Sequence, residues 1–279
     1  MDLPTKTVGV FPLRSWVPEI HSQLKSIIEG NSGLACFDFD NTLIRNDFGE
    51  KIMEEIMLDG LPNLPKDLSQ FFRNSEIWRD HTKLSFVEKQ NLIWEEYSYN
   101  LKEFGIEAGY RWSCFLFQGL SPEDYERISA KVWKRVNIPD ESIGVTPQKE
   151  MLDLVYFLQK NNWRIYIVTA SPEPGIAAIA SHFSIKKENV IGMRQTIGLD
   201  GKYTASLIEP YTYGEGKVKA IEKWIGEYPD LAFGDSFNDF PMLCTAKKMG
   251  VAIDKGNPEF VEACSKQGIY IQPYFNFNI

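Results

Sequence analysis

Two pairs of aspartates follow short apolar runs of the chain. Asp38 and Asp40 come directly after one such run, and Asp235 and Asp239 come just after another. An Asp-x-Asp pair alone is as typical of a turn or helix cap as of a catalytic site. The pattern is more informative because Lys217 opens a predicted helix between the two pairs. Magnesium prefers hard oxygen ligands and keeps several waters, so Asp38 and Asp235 could hold one ion.

The elements that must position these residues alternate between strands and helices. Apolar runs that end at polar residues predict buried strands at 34–37, 164–168 and 230–233. Amphipathic periodicity predicts helices at 16–29, 150–161, 176–182 and 217–225, and Asp200-Gly201 predicts a hairpin turn. This alternation is typical of a doubly wound, mainly parallel α/β sheet with a Rossmann-like topology. Ligands bind such sheets at the carboxyl ends of the strands.

The middle of the chain follows a different pattern. Residues 47–145 contain long helical patterns, such as 86–104 and 122–136, and no convincing strand. We therefore predict a catalytic core of residues 1–46 and 146–279, with a helical cap domain of residues 47–145 inserted into it. The insertion is rich in aromatic residues, which either fill its own core or face a ligand.

The charge and the cysteines limit the class of protein. The 279-residue chain has a net charge of -8, whereas nucleic acids and anionic membranes favour a basic face. We therefore expect a small-molecule substrate and neither a nucleic-acid nor a membrane partner. The sequence shows no export signal and no apolar run of ~18 residues, so we expect a cytoplasmic location. The four cysteines lack a CxxC pair and are expected to be buried thiols. The oligomeric state stays open.

Taken together, four short motifs resemble those of the haloacid dehalogenase superfamily of phosphatases and phosphotransferases. In chain order they are Asp38-x-Asp40-x-Thr42, Thr169 at a strand end, Lys217 at a helix start, and Gly234-Asp235-x-x-x-Asp239. Each motif is weak alone, but the set is highly specific. The resemblance covers residues 34–253 and implies Mg²⁺ as the cofactor.

The resemblance implies a role for each matching residue. Asp38 would be the nucleophile that takes the phosphoryl group. Asp40 would protonate the leaving oxygen and then act as base for the attacking water. Thr169 and backbone amides near Ala170 would hold the phosphoryl oxygens, and Lys217 would neutralise the nucleophile and the transferring group.

The metal ligands and the alternatives follow from the same comparison. Asp235 would bind magnesium together with Asp38 and the Asp40 carbonyl, and Asp239 would position Lys217 or a metal-bound water. Ser171 is an alternative to Thr169, and two further lysines, Lys219 and Lys223, are alternatives to Lys217. We prefer Thr169 because it follows the predicted strand directly. The presence of Asp40 argues against dehalogenation, because dehalogenases of this superfamily lack the second aspartate.

The position of the insertion resembles that of the helical cap in the phosphoserine phosphatase-like subgroup. Such caps choose the substrate and exclude water. In phosphoserine phosphatase an acid matching Asp47 receives the substrate ammonium. No arginine has a context that clearly matches the one that pairs with the serine carboxylate, although three are candidates by type. These are Arg73, Arg79 and Arg111.

A looser resemblance connects the chain with bacterial phosphorylcholine phosphatase. The matching segments are Leu13-Arg14-Ser15-Trp16, Asp38 to Glu50, Tyr110-Arg111-Trp112, Phe117-Gln118-Gly119 and Glu209-Pro210-Tyr211. It implies that Glu50 and cap aromatics bind a quaternary ammonium, which needs aromatic faces and a carboxylate because it donates no hydrogen bonds. The candidate aromatics are Trp78, Trp94, Tyr97 and Trp112.

These resemblances lead to one main hypothesis and three alternatives. The main hypothesis is magnesium-dependent hydrolysis of a small phosphomonoester through an aspartyl phosphate, with an ammonium-bearing alcohol such as choline or ethanolamine. The alternatives are a phosphoserine phosphatase, a phosphotransferase of the same superfamily, and a catalytically idle module that binds a phosphorylated metabolite.

Overall fold

The structure is a computed structural model and describes residues 11–56 and 65–277. The strands are β1 (Leu34–Phe37), β2 (Ile44–Arg45), β3 (Thr146–Pro147), β4 (Arg164–Pro172), β5 (Val190–Ile197), β6 (Tyr203–Ile208), β7 (Leu231–Gly234), β8 (Met249–Asp254) and β9 (Tyr270–Pro273). The helices before β3 are α1 (Pro18–Ile28), α2 (Phe48–Glu55), α3 (Ser75–Trp78), α4 (Phe86–Phe104), α5 (Ile106–Phe115) and α6 (Pro122–Val136). The later helices are α7 (Lys149–Lys160), α8 (Glu173–Ala177), α9 (Glu215–Trp224), α10 (Phe240–Cys244) and α11 (Pro258–Lys266).

A seven-stranded sheet forms the centre of the core, in the order β6-β5-β4-β1-β7-β8-β9. Each neighbouring pair is parallel except β5 and β6, which form the antiparallel hairpin that the Asp-Gly turn predicted. All four residues of β1 are buried, as expected for a strand covered on both faces. The predicted doubly wound, mainly parallel α/β fold is therefore confirmed.

The register of β1 with its two neighbours decides which residues meet at the carboxyl edge. Phe37 is opposite Ile167 of β4 on one side and opposite Phe233 of β7 on the other. The residues that follow these three positions, Asp38, Val168 and Gly234, therefore begin the same edge of the sheet. This edge carries the sequence motifs.

A helical cap is inserted after the first strand. The short strands β2 and β3 pair antiparallel and bring the two ends of the insertion together. Between them the described residues form α2 to α6 and two 3₁₀ turns, Ser69–Phe71 and His81–Lys83. Helices α4 and α6 match the predicted ranges, and serines cap both: Ser85 starts a capping box with Glu88, and Ser121 accepts from the Asp124 amide. Domain boundaries near 46 and 146 stay a prediction.

Three local expectations need correction. The strand predicted at 164–168 continues to Pro172, so Thr169 to Ser171 lie within β4, where its pairing with β5 is irregular. The helix predicted at 176–182 is the short α8 followed by a 3₁₀ turn at Ala180–Phe183, which Ser184 closes in the left-handed conformation (φ 56°).

The third correction concerns the cysteines. All four are free, and Cys36, Cys114 and Cys264 are buried as expected. Cys244 is exposed because it ends α10, whose inward-facing residues are Met242 and Leu243.

Part of the sequence lies outside the described residues, including the N-terminal segment that bears on cellular location. Among the helices of 11–56 and 65–277, none combines the length and the apolar character needed to span a bilayer.

Candidate active site

Asp38 stands at the carboxyl end of the central strand. Its backbone amide donates to the carbonyl of Phe233 (2.9 Å), which extends the β1–β7 pairing by one residue and holds Asp38 beside Gly234. A Cβ at Gly234 would come within 2.3 Å of the Asp239 Cβ, so only glycine lets these two segments approach. The Asp38 side chain is thereby buried and aimed at the residues that follow β7.

Lys217 links the two aspartate pairs. Its Nζ donates to Asp38 Oδ1 (2.7 Å) and to Asp239 Oδ1 (2.5 Å), and its side chain is completely buried. Burial acts to lower the pKa of Lys217, but the carboxylates of Asp239 and Asp38 outweigh it and raise that pKa above its ordinary value. The lysine therefore carries a fixed positive charge next to Asp38.

The first turn of α9 places this lysine. Gly216 precedes Lys217, and a Cβ at Gly216 would lie 1.7 Å from the carbonyl oxygen of Tyr211. A larger residue would push the start of the helix away from the loop before it. The glycine therefore allows Lys217 to reach the sheet edge.

Asp38, Asp235 and Asp239 form a cluster whose carboxylate oxygens lie within 4.8 Å of one another. Burial raises the pKa of Asp38 well above its usual range, and the charge of Asp239 adds to this. Burial likewise raises the pKa of Asp235 to about 6, again reinforced by Asp239. Buried carboxylates this close repel one another unless a cation joins them.

The donor set fits magnesium. A hard divalent cation takes carboxylate and carbonyl oxygens and keeps several waters. Asp239 is less free than the others to act as a ligand, because its Oδ2 accepts from the amides of Asp235 and Ser236 (both 3.1 Å) and from the Ser236 hydroxyl (3.0 Å). Asp38 and Asp235 therefore remain the better candidate ligands, and Asp239 serves as a scaffold for the loop and for Lys217.

Asp40 connects the core to the cap. Its Oδ1 accepts from the amide of Phe48 (2.7 Å), the first residue of α2, and its Oδ2 accepts from the Ser171 hydroxyl (2.6 Å). Burial raises the pKa of Asp40 to about 7, with a further contribution from the charge of Asp47. A carboxyl with such a pKa can hold or release a proton near neutral pH.

The two candidates for the second motif, Thr169 and Ser171, occupy different places. Thr169 is buried, and its hydroxyl oxygen accepts from the Ser171 amide (3.0 Å). Ser171, the less favoured alternative, is the residue that contacts Asp40. Both residues lie in β4, because the strand continues past Val168 to Pro172, and the choice between them stays a prediction. The alternation of β4 then places Thr169 and Ser171 on the same face.

A small cavity lies between the cap and this edge of the sheet. Its volume is about 20 Å³, which is room for about one water molecule. The lining residues are Asp47, Gly49, Glu50, Met53, Tyr97, Tyr110, Ser113, Ala170, Ser171 and Pro172. The cavity thus joins predicted specificity residues of the cap to the second motif.

Two carboxylates of α2 make this cavity acidic. Asp47 caps the helix, with its Oδ1 accepting from the Glu50 amide (2.7 Å). Burial raises the pKa of Asp47 to about 7, and the charge of Glu50 adds to this. Burial also raises the pKa of Glu50, followed by the charge of Asp40. Two acids therefore share a poorly solvated space, which favours a cation between them.

The predicted aromatic residues are only partly at the cavity. Tyr97 lines it, whereas Trp78 and Trp112 pack inside the cap. Trp78 stacks on Phe72 at 3.7 Å, and the Trp112 indole nitrogen donates to the Phe71 carbonyl (2.7 Å). These two indoles fill the cap's own core, so the prediction that they face the ligand is not supported.

Trp94 also points away from this cavity, whereas Tyr110 lines it. The Trp94 indole nitrogen donates to Glu54 (3.2 Å), and its ring borders a different, open pocket. Tyr110 was missed, although it lines the cavity together with Ser113. The spacing of three residues on α5 places both on one helix face, and this pattern could have identified them.

Lys255 is the other residue that the sequence patterns missed. It follows β8, and its Nζ lies 3.1 Å from Asp235 Oδ2. No local motif marks it, because its position depends on how β8 pairs with β7. The site therefore contains a second ammonium group that contacts a predicted metal ligand.

Comparisons with known proteins agree with this geometry. Residues 35–244 match the haloacid dehalogenase-like hydrolase family. A histidinol-phosphatase of Neisseria meningitidis serogroup C is 24% identical over 218 residues, which cover 75% of this chain and 85% of that protein.

Solved structures show the same fold. A conserved protein of unknown function from Anaerococcus prevotii has a TM-score of 0.66 at 18% identity, covering 94% of this chain and 93% of that one. A phosphoserine phosphatase solved as a phospho-aspartyl intermediate analogue has a TM-score of 0.51 at 18% identity, covering 88% and 94%. The described residues thus share the fold of these two proteins.

Proposed function

The chain belongs to the haloacid dehalogenase-like hydrolases and is a phosphatase; from that premise, we propose that it hydrolyses a small, amine-bearing phosphomonoester through an aspartyl phosphate on Asp38. The observation that carries this proposal is the buried contact of Lys217 with Asp38 and Asp239, beside Asp235. One fixed positive charge next to a buried carboxylate is suited to bringing a phosphate dianion and a nucleophile together.

Each residue of the sheet edge has a role in two displacements. In the first, an Asp38 oxygen attacks phosphorus, the bond from phosphorus to the alcohol oxygen breaks, and Asp40 gives its proton to that oxygen. In the second, Asp40 takes a proton from water, the water oxygen attacks phosphorus, and the bond to Asp38 breaks. Splitting one hard displacement into two easier ones is the general advantage of a covalent intermediate.

Charge and orientation come from the surrounding residues. Lys217 neutralises the nucleophile and the transferring group, and Asp239 positions Lys217. Thr169 and the backbone near Ala170 hold phosphoryl oxygens. Asp38, Asp235 and the Asp40 carbonyl would hold Mg²⁺, which would supply Lewis-acid stabilisation of the phosphoryl charge.

The cavity supports an ammonium group on the leaving alcohol. Asp47 and Glu50 provide two carboxylates in a buried space, and Tyr97, Tyr110 and Ser113 provide hydroxyls. Such a set accepts hydrogen bonds from a primary ammonium. A quaternary ammonium donates no hydrogen bonds and would use aromatic faces, of which this cavity has Tyr97 and Tyr110 but none of the three tryptophans. Phosphocholine therefore becomes the less favoured member of the substrate class.

The curated relative supports the same class of substrate. It is a histidinol-phosphatase, and histidinol phosphate is the phosphate ester of an amino alcohol. We therefore propose a primary amino-alcohol phosphate, such as phosphoethanolamine or a larger relative, as the substrate of this chain.

A phosphate-release panel tests this proposal. The panel contains p-nitrophenyl phosphate, phosphocholine, phosphoethanolamine, phosphoserine and histidinol phosphate, each with Mg²⁺ and with a chelator. We expect turnover only with Mg²⁺ and the highest kcat/KM for a primary amine. Glu50→Gln should raise KM for the amines about tenfold and leave p-nitrophenyl phosphate nearly unchanged, because the carboxylate would contact the ammonium and not the phosphoryl group.

The matched control is Glu103→Gln, which removes an acid from the exposed end of α4. It should leave all kinetic constants at their wild-type values. Turnover that persists in the chelator would contradict the magnesium dependence. Equal losses for amine-bearing and amine-free substrates in Glu50→Gln would contradict the ammonium site.

A further inference from the structure

Lys255 approaches the acidic cluster from its solvent side. The Lys255 side chain is 37% exposed, whereas that of Asp235, which its Nζ contacts at 3.1 Å, is 8% exposed. A flexible side chain thus reaches in from water to a buried carboxylate. The other oxygen of that carboxylate accepts from the Thr42 hydroxyl (3.3 Å).

The two lysines of the site differ in how firmly they are held. Lys217 is completely buried and contacts two carboxylates. Lys255 contacts Asp235 and keeps access to water. When its side chain turns outward, water solvates the ammonium and replaces the lost contact. Lys217 is a fixed part of the site, whereas Lys255 can leave it.

The positive charge of Lys255 acts on acids of both the core and the cap. It opposes the rise in pKa that burial and neighbouring carboxylates impose on Asp235, Asp47 and Glu50. Lys255 therefore stands where a cation has several negative partners. A divalent cation would also be attracted most strongly to this region.

The carboxylate of Asp235 cannot favourably contact both Lys255 and a metal ion at the same time. A magnesium ion lies about 2 Å from a ligating oxygen, so an ion on Asp235 Oδ2 would lie within about 5 Å of an ammonium that keeps its present contact with that oxygen. The two positive charges would repel each other in a poorly solvated space.

We infer that Lys255 competes with the divalent cation for Asp235 and thereby sets how tightly the site binds Mg²⁺. The inference rests on the magnesium site of the proposed function. Binding of the cation turns the Lys255 ammonium out to the solvent, and release of the cation lets it return to Asp235. Lys255 is thus an internal counter-ion that weakens the affinity for Mg²⁺ and keeps Asp235 paired.

Calorimetric titration of the full chain with Mg²⁺ tests the inference without any substrate. Lys255→Met removes the charge, and we expect its Kd for Mg²⁺ to fall about tenfold or more relative to the wild type. Lys255→Gln is a second neutral variant and should behave in the same way. Lys255→Arg keeps the charge and should stay near the wild-type Kd.

Lys248→Met is the matched control. Lys248 is also a partly exposed lysine, and it pairs with a partly buried aspartate, with its Nζ 3.5 Å from Asp230 and side-chain exposures of 42% and 14%. Asp230 lies at the start of β7, at the opposite end of the strand from Asp235. Lys248→Met should therefore leave the Kd for Mg²⁺ unchanged.

Thermal unfolding separates competition from a merely structural role. Lys255→Met should lower Tm in a chelator, because Asp235 loses its partner, and should match the wild type at saturating Mg²⁺. A loss of Tm under both conditions, or a Kd that stays the same or rises, would overturn the inference. Absence of Mg²⁺ binding in the wild type would instead overturn the magnesium site of the proposed function.

Discussion

At the scale of single residues, the site concentrates negative charge that the core and the cap share. Asp40 belongs to the core and Asp47 to the cap, and each has its pKa raised to about 7 by burial first and by a neighbouring carboxylate second. The neighbour of Asp40 in this respect is Asp47, and that of Asp47 is Glu50. In the proposed function, the residue that would recognise the substrate, Asp47, therefore also adjusts the pKa of the residue that would transfer the proton, Asp40.

This coupling predicts the effect of Asp47→Asn on the pH profile. Removing the negative charge of residue 47 lowers the pKa of Asp40, because the ionised form of Asp40 is no longer repelled by a neighbouring carboxylate. In the proposed mechanism Asp40 acts as an acid in the first displacement, so activity should fall once the pH exceeds its pKa. We expect the alkaline limb of kcat/KM for phosphoethanolamine to move to lower pH. An alkaline limb that stays in place or moves to higher pH would contradict the coupling.

At the scale of elements, the start of α2 holds Asp40 in position. The Phe48 amide and the Ser171 hydroxyl both donate to Asp40, and Gly49 lies against Ser171. Gln148, which directly follows β3, also holds this loop. Its side-chain amide donates to the carbonyls of Asn41 (3.2 Å) and Thr42 (2.9 Å). Contacts from the segments that follow β2 and β3, together with Ser171 of β4, thus fix the loop after Asp38.

Gly49→Ala tests this part of the site. The new Cβ would lie 2.4 Å from the Ser171 hydroxyl oxygen, which must shift and weaken its bond to Asp40. Alanine is also a better helix former than glycine, by less at the second residue of α2 than the ~1 kcal/mol of a helix interior, so the fold should not suffer. We expect kcat to fall roughly tenfold to a hundredfold while Tm stays level or rises. A lower Tm with normal kcat would show that Gly49 serves the fold instead of the site.

At the scale of the whole molecule, the cap lies closed over the sheet edge. The cavity of about 20 Å³ is smaller than any amino-alcohol phosphate, so the space must enlarge before a substrate enters. The segment between α5 and α6 is hydrogen-bonded to the first residue of β6. The Gly119 amide donates to the Tyr203 carbonyl (2.8 Å), and the Tyr203 amide donates to the Leu120 carbonyl (2.9 Å). Helix α5 is also held to the core, because Tyr110 packs on Tyr213 and Arg111 lies over the Tyr211 ring, so opening is easier at α4 than at α5 or α6.

Methionine oxidation reports this opening. Met53 is buried at the cavity, and Met151 of α7 is equally buried in the core. We expect peroxide to oxidise Met53 faster than Met151, and Mg²⁺ with beryllium fluoride, a phosphate mimic that does not react with peroxide, to slow only the oxidation of Met53, as measured by mass spectrometry of the two peptides. Equal rates for the two residues under both conditions would contradict a cap that opens.

The sequence predicts the reaction centre better than the pocket, and the reason is physical. Asp38, Asp235 and Lys217 stand next to a strand end or a helix start, and such local patterns are readable from the chain. The contact of Lys255 with Asp235 depends on the packing of distant segments, which no local spacing encodes. Helical periodicity shows that Trp112 faces an apolar layer, but it does not tell whether that layer is the cap core or the substrate.

Trapping of the intermediate tests the central claim most directly. The enzyme is mixed with Mg²⁺ and substrate, quenched and reduced with borohydride, which converts an aspartyl phosphate to homoserine. Peptide mass spectrometry should find homoserine at position 38 and unmodified Asp40, and Asp38→Asn should lose activity by on the order of a thousandfold or more. Homoserine at another aspartate, or full turnover in Asp38→Asn, would contradict the account.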